Sequence, residues 1–155
     1  MGEGRNSIFL AREGWKVTGI DISDEAVRQA RTTAKEDGLN LEATVVDVGE
    51  FDFGQEKWDL VIAMYMHSII VPHAEEIIRS LKPDGLLVIE GFHRDLNRQS
   101  VQGGYFGYLS NQLPLLFKPL RILFYEDRVD VAEWGGEQEH PIVRFVAKKS
   151  AILEP

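Results

Sequence analysis

From residue 15 to residue 92 the chain alternates short runs of β-branched and aliphatic residues with stretches of helical period. "WKVTGID" precedes "SDEAVRQARTTAKEDG". "LEATVVD" precedes the loop "VGEFDFGQEK", and "WDLVIAM" leads through "HAEEIIRSL" and the turn "KPDG" to "LLVIEGF". Strands separated by helices are joined by crossovers, and crossovers require a parallel sheet with helices on its faces. The second helix is the best marked: Ser23 stands at its start, acids fill its first turn, Ala26, Val27, Ala30 and Ala34 share a face, and Gly38 ends it.

Both flanks of this alternation depart from it. Residues 94–118 lose the period, with "QGGYFGY" and two prolines, and read as an insertion with one short helix near 109–117. The strands "LRILFYEDRV" and "IVRFVAKK" then flank a turn near "EWGGEQEHP", a hairpin that can add an antiparallel edge. At the other end, "GRNSIFLARE" is a first helix stopped by Gly14, and the glycine turn "GEG" opens the chain with no strand ahead of it. In nucleotide-binding α/β folds such a turn follows a first buried strand.

The 155 residues fit one domain, residues 1–155, and no apolar run approaches the roughly 20 residues of a membrane helix. Charges interrupt the first residues where a signal peptide would be apolar, so the reading is cytoplasmic with no membrane partner. The absence of cysteine excludes disulfides, zinc–thiolate sites and thiol catalysis, and no metal is expected. With 17 basic against 25 acidic residues the net charge is −8, which disfavours a nucleic-acid partner and favours a small molecule.

Ligands of open α/β sheets bind beyond the carboxyl ends of the strands. Gly2 and Gly4 would let backbone approach a ligand at the first helix, although short glycine motifs often mark only a turn. Asp21, 17 positions after Gly4 and ending the next strand, suits the two hydroxyls of a ribose; its alternative is a cap on the helix that Ser23 begins. Asp47 could accept an adenine amine between the apolar faces of Ile22 and Val48, or simply bond its own turn. Within "AMYMHS", Met64 and Met66 suit packing and His67 is a candidate general base, or a hydrogen-bonded structural histidine.

Weaker candidates follow. His93, Arg94 and Asp95 leave the "LLVIEGF" strand as either substrate contacts or ordinary loop. Tyr105, Phe106 and Tyr108 among Gly103, Gly104 and Gly107 suit a lid with aromatic contacts or a hydrophobic plug. His140 reads as solvated, and Glu75 and Glu76 as a helix face. No Ser-His-Asp order, HExxH, P-loop or calcium loop occurs.

Taken together, "GEGRNSIFLAREGWKVTGIDIS", "VVDVGEFDF", "WDLVIAMYMHS" and "LKPDGLLVIEGF" resemble the class I S-adenosylmethionine-dependent methyltransferases along nearly the whole chain. Among them the tail is similar to the small tellurite-resistance and thiopurine-type group. The resemblance implies a Rossmann-like, mostly parallel sheet with an antiparallel C-terminal hairpin, and S-adenosyl-L-methionine as cofactor. It places Gly2 and Gly4 on the methionine part, Asp21 on the ribose and Asp47 on the adenine, with Met64 also at the cofactor. The acid, first glycine and first strand of the family turn do not precede Met1. A dehydrogenase turn would need glycine where Ser7 stands.

In that family the first strand is central, so without it two strand edges would lie unpaired, at about 1–3 kcal/mol for each buried unsatisfied group. Three outcomes would resolve this: the sheet closes up, a partner chain supplies or exchanges an element, or the protein begins upstream. The expectation is a homodimer whose sheet is rearranged or completed by the partner chain, exchange of elements being one form of this. The expected function is methyl transfer to a small-molecule nucleophile. The alternative is a truncated relative with weak or no cofactor binding that acts as a structural or regulatory oligomer.

Overall fold

The computed structural model describes residues 1–95, 107–132 and 137–151. The chain forms two compact units, Met1–Asp52 and Phe53–Pro155.

In the first unit the order is α1 (Arg5–Arg12), β1 (Val17–Asp21), α2 (Asp24–Glu36) and β2 (Leu41–Val45), then a short 3-10 turn at Val48–Glu50. β1 and β2 pair in parallel, Val17 opposite Leu41 through Asp21 opposite Val45. Ser23 caps α2 as expected, its hydroxyl accepting the Ala26 N–H at 3.3 Å. Val27, Ala30 and Ala34 of α2 are buried, with Ile8 and Ala11 of α1 and Ala43 of β2. This small-residue core depends on Gly4: a Cβ there would lie 2.9 Å from the Ala30 Cβ. The second strand stops at Val45, short of the "LEATVVD" run, because Asp47 accepts the Gly49 N–H at 2.8 Å and starts the 3-10 turn.

The second unit holds β3 (Trp58–Met64), α3 (His67–Ile70), α4 (Ala74–Ser80), β4 (Leu81–Phe92), α5 (Gln112–Leu116), β5 (Arg121–Val131) and β6 (Glu139–Lys148). Its sheet runs β3-β4-β6-β5. β3 and β4 are parallel, whereas β6 is antiparallel to both β4 and β5, so the expected hairpin is present. One face is apolar and covered: Leu87 and Ile89 of β4 and Val143, Phe145 and Ala147 of β6 pack with Ile77, Leu113 and Phe117.

Two local readings change. The "KPDG" turn lies inside the span of β4, where the register slips between Trp58 opposite Leu81 and Leu60 opposite Leu86, and Asp84 takes φ 64. A four-residue helix also begins at His67, where the sequence has no periodic run long enough to announce one.

The described strands form two sheets, and β1 and β3 are each terminal in their own. Parallel pairing, expected to dominate, occurs in β1–β2 and β3–β4, while the other two pairs are antiparallel. The glycine and aromatic residues 103–106 lie outside the described residues.

Candidate functional site

In the first unit the glycine turn and the acid of β1 meet. Gly2 has φ 57 and Gly4 has φ 89, so the turn is left-handed at both glycines. Space in front of Gly2 is open, with no atom within 4 Å of where a Cβ would stand. The turn is fastened to β1: the Gly2 N–H donates to Asp21 Oδ2 at 2.7 Å, and the Met1 amino group donates to the same oxygen at 2.8 Å and to the Ile20 carbonyl at 2.7 Å. Asp21 Oδ1 accepts the Ser23 N–H at 2.9 Å, so the acid anchors the start of α2 while Ser23 itself caps it. Burial would raise the Asp21 carboxyl, but the amino group and the N–H groups of Ser23 and Gly2 outweigh it and hold its pKa at about 2.

The next two candidates flank that acid in sequence. Ile22 is 73% exposed, an apolar side chain left in the open directly after Asp21. Asp47 is exposed and spends Oδ1 on the Gly49 N–H, so the turn-forming alternative is realised with one of its two oxygens. Val48, half-buried, begins the 3-10 turn beside it.

In the second unit the carboxyl ends of β3 and β4 gather aromatic rings. Met64, half-buried, is the last residue of β3 and lies opposite Glu90. Tyr65 follows at φ 58, a left-handed conformation that costs a bulky residue on the order of 1–3 kcal/mol and persists only where neighbours enforce it. The neighbour is Glu90: its carbonyl accepts the Tyr65 N–H at 2.7 Å and its Oε1 accepts the Tyr65 hydroxyl at 2.5 Å. The Tyr65 ring lies 4.9 Å from that of Phe92, and His67 is 6.5 Å from Phe92 and 5.4 Å from Tyr108. His140 meets Phe92 edge-on at 5.6 Å and so belongs to this group rather than to a solvated turn. The backbone permits the gathering at Gly91, where a Cβ would lie 2.8 Å from Tyr108 Cε2 and 3.4 Å from His67 Cδ2.

Their surroundings distinguish His67 from His93. Burial lowers the His67 pKa and so favours its neutral imidazole. His93, also buried, is instead tied down: Nδ1 accepts the Asp95 N–H at 3.1 Å and Nε2 lies 3.1 Å from the Ser110 hydroxyl. That ring joins the end of β4 to the segment carrying Tyr108, alongside the His93–Tyr108 bridge. Burial raises the pKa of Tyr108, and its hydroxyl has no hydrogen-bond partner among the described residues.

Sequence reasoning passed over Tyr65 and the network behind it. Arg144 Nε donates to Glu90 Oε2 at 2.7 Å, and Nη1 donates to Glu126 at 2.7 Å and Asp130 at 2.5 Å. Asp130 and then Glu90 push the arginine pKa further up, and Arg144 first among its partners holds Asp130 below the usual carboxylate range. Glu90, Arg144 and Glu126 stand opposite one another on β4, β6 and β5, a row visible only once the strand register is known. The described residues contain no group of three or more His, Asp or Glu suited to a metal, and no helix long and apolar enough to cross a membrane.

Residues 1–85 match a family described as "Methyltransferase domain". The chain is 32% identical over 159 residues to a ubiquinone biosynthesis O-methyltransferase of Actinobacillus pleuropneumoniae, covering 91% of this chain and 68% of that protein. It is 35% identical over 86 residues to a phosphatidylethanolamine N-methyltransferase of Cereibacter sphaeroides, covering 51% of this chain and 42% of the relative. In fold it is similar to TehB from Haemophilus influenzae, with TM-score 0.80 at 19% identity over 96% of this chain and 55% of TehB. The chain thus spans about two thirds or less of the length of these relatives. The glycine turn, the acid closing β1 and the match to the methyltransferase domain lead to one assignment: the chain belongs to the class I S-adenosylmethionine-dependent methyltransferases, enzymes that take their methyl group from S-adenosylmethionine.

Proposed function

We propose that the protein transfers the methyl group of S-adenosylmethionine to a small-molecule nucleophile, with residues 1–155 working as one methyltransferase domain. The observation that carries this reading is the Gly2 N–H on Asp21 Oδ2 at 2.7 Å, which fastens a left-handed glycine turn to an ionised acid at the carboxyl end of a parallel strand. The cofactor supplies a sulfonium whose methyl group is already electrophilic and whose leaving thioether is neutral, so the protein's task is positioning and exclusion of water.

The roles follow from the chemistry of the side chains. Gly2 and Gly4 expose backbone to the methionine part, and the open space at Gly2 fits that role. Asp21 accepts the ribose hydroxyls. A carboxylate has about four lone-pair positions, and the Gly2 and Ser23 N–H groups take one on each oxygen, which leaves about two for the hydroxyls. Asp47 offers Oδ2 to the adenine amine, and the exposed Ile22 with Val48 covers the ring faces. Met64 packs against the cofactor, and neutral His67 receives the proton that the nucleophile gives up. The acidic surface, at net charge −8, favours a small acceptor over nucleic acid. The protein works in the cytoplasm, away from membranes, as a homodimer.

A second reading is a relative that binds cofactor weakly or not at all and serves as a structural or regulatory oligomer, since both Asp21 oxygens already accept protein N–H groups, from Ser23 and Gly2. Calorimetry with S-adenosylmethionine and S-adenosylhomocysteine separates the two. Tight binding that disappears in Asp21→Ala supports the enzyme, and no binding at millimolar ligand supports the oligomer.

A further inference from the structure

The sheet of the second unit has an apolar edge. β5 is terminal in the order β3-β4-β6-β5 among the described residues, and a terminal strand leaves N–H and C=O groups unpaired along one side. Of the large hydrophobic side chains that stay exposed, Ile122, Leu123, Phe124, Val129 and Val131 all stand on this one strand, with Val129 61% exposed. β1 and β3, also terminal, carry none. From Phe124 to Val131 the strand pairs regularly with β6, and the register slip lies ahead of that stretch, between Ile122 and Phe124. Exposed apolar strand edges of this kind invite a further strand.

We infer that β5 is the surface on which a second copy of this chain docks, antiparallel to its own β5 across a two-fold axis at Asp127. The inference rests on the homodimer reading for the presence of a second copy and supplies its surface. Charge fixes the register. A two-fold axis normal to the sheet keeps each face on its own side, so it pairs residues an even number of positions apart. With the axis at Asp127, Glu126 stands opposite Arg128 of the second copy, twice by symmetry, while Tyr125 meets Val129 and Leu123 meets Val131. Arg128 already bonds Glu126 and Asp130 of its own strand at 3.0 and 2.9 Å and is still 58% exposed, so the ionic row of this face continues into the second copy. An axis at Glu126 would set that acid against itself and Arg128 against Phe124. An axis at Arg128 would set the arginine against itself and Glu126 against Asp130. Opposite charges and apolar pairs across strands stabilise a sheet and like charges destabilise it, so the Asp127 register is the favoured one, with a single like-charge contact at the axis.

The chain has no cysteine, so a single introduced one reports the contact. In Asp127→Cys the two thiols stand across the axis, with Cα atoms roughly 4.5–5.5 Å apart and within disulfide reach. Mild oxidation at micromolar concentration should convert most of that variant to a covalent dimer. In Val131→Cys the thiols lie roughly 26 Å apart along the paired strands, at about 3.3 Å per residue, and the chains should stay unlinked. Light scattering gives a second measurement that also serves if Asp127→Cys does not fold. Val129→Lys, at an exposed position met twice in the dimer, should raise the dimer dissociation constant about ten-fold, and Asp127→Asn, which removes the like-charge contact, should lower it about two- to five-fold. A wild-type dimer that leaves Asp127→Cys unlinked, links Val131→Cys equally well or is unmoved by Val129→Lys overturns the inference while the homodimer reading stands. A wild-type chain that stays monomeric at every concentration overturns both.

Discussion

Tyr65 and Glu90 are joined twice: the tyrosine N–H donates to the glutamate carbonyl at 2.7 Å, and its hydroxyl donates to the carboxylate at 2.5 Å. The double tie explains how an aromatic residue persists at φ 58 at the mouth of a parallel strand pair. Removing only the hydroxyl leaves the strain and deletes a bond to a charged acceptor. Tyr65→Phe should therefore lose about 1–2 kcal/mol of stability in urea unfolding, within the range for charge-assisted bonds at partly exposed sites. A variant as stable as the wild type would mean that the side-chain bond does not hold the turn.

Asp21 joins the glycine turn to β1, so its removal should be felt in two measurements. In Asp21→Ala, calorimetric binding of S-adenosylhomocysteine should vanish. In the wild type, the acid's folded-state pKa of about 2 lies below its ordinary value of 3.8. A depressed carboxyl contributes stability above the unfolded value and loses it as pH falls through the folded one, so the contribution should disappear between about pH 4 and pH 2. Unfolding midpoints of the Asp21→Ala variant should fall less steeply across that window.

His67 titrates with the opposite consequence. Its folded-state pKa lies below 6.5 because burial disfavours the imidazolium, so the unfolded chain binds the proton more readily. Acidification below pH 6.5 should then favour unfolding through this residue, and His67→Gln should flatten that part of the stability profile. Methyl transfer that needs the neutral imidazole should keep its rate down to pH 6.5 and lose it only on further acidification. An acid limb centred well above pH 6.5 would exclude His67 as the base.

Tyr108 carries a hydroxyl that is fully buried with no partner among the described residues, while its ring packs against Gly91 and His67. An unsatisfied buried hydroxyl costs about 1–3 kcal/mol. Tyr108→Phe keeps the ring and should gain roughly 1 kcal/mol in denaturant unfolding. A loss of stability would show that the hydroxyl has an unrecognised role in folding.

Much of this was readable in the sequence for a physical reason. Helix caps, strand runs and the spacing from Gly4 to Asp21 are local, and local signals survive in one dimension: Ser23 caps where expected, and the glycine turn does meet the acid of β1. What escaped is what depends on register. Glu90, Arg144 and Glu126 lie far apart in the chain and face one another only because β4, β6 and β5 align. Tyr65 reads as the single tyrosine of "AMYMHS", and nothing in that string announces a left-handed backbone. His140 shows the same limit, since its contact with Phe92 is made across strands.

The last expectation concerns strand edges. Among the described residues β1 and β3 are each terminal in their sheets, and β1 belongs to a sheet of two strands, a size that is marginal without further pairing. A terminal strand presents unpaired N–H and C=O groups along one side, which is a template for another strand. On β1 the Ile20 carbonyl takes the Met1 amino group. Edge pairing between copies would satisfy the remaining groups and bind two chains by the backbone. Size-exclusion chromatography with light scattering should find a dimer at micromolar concentration, and amides of β1 and β3 should exchange more slowly as concentration rises. A stable monomer whose β1 and β3 amides exchange at a concentration-independent rate would rule out association through these edges.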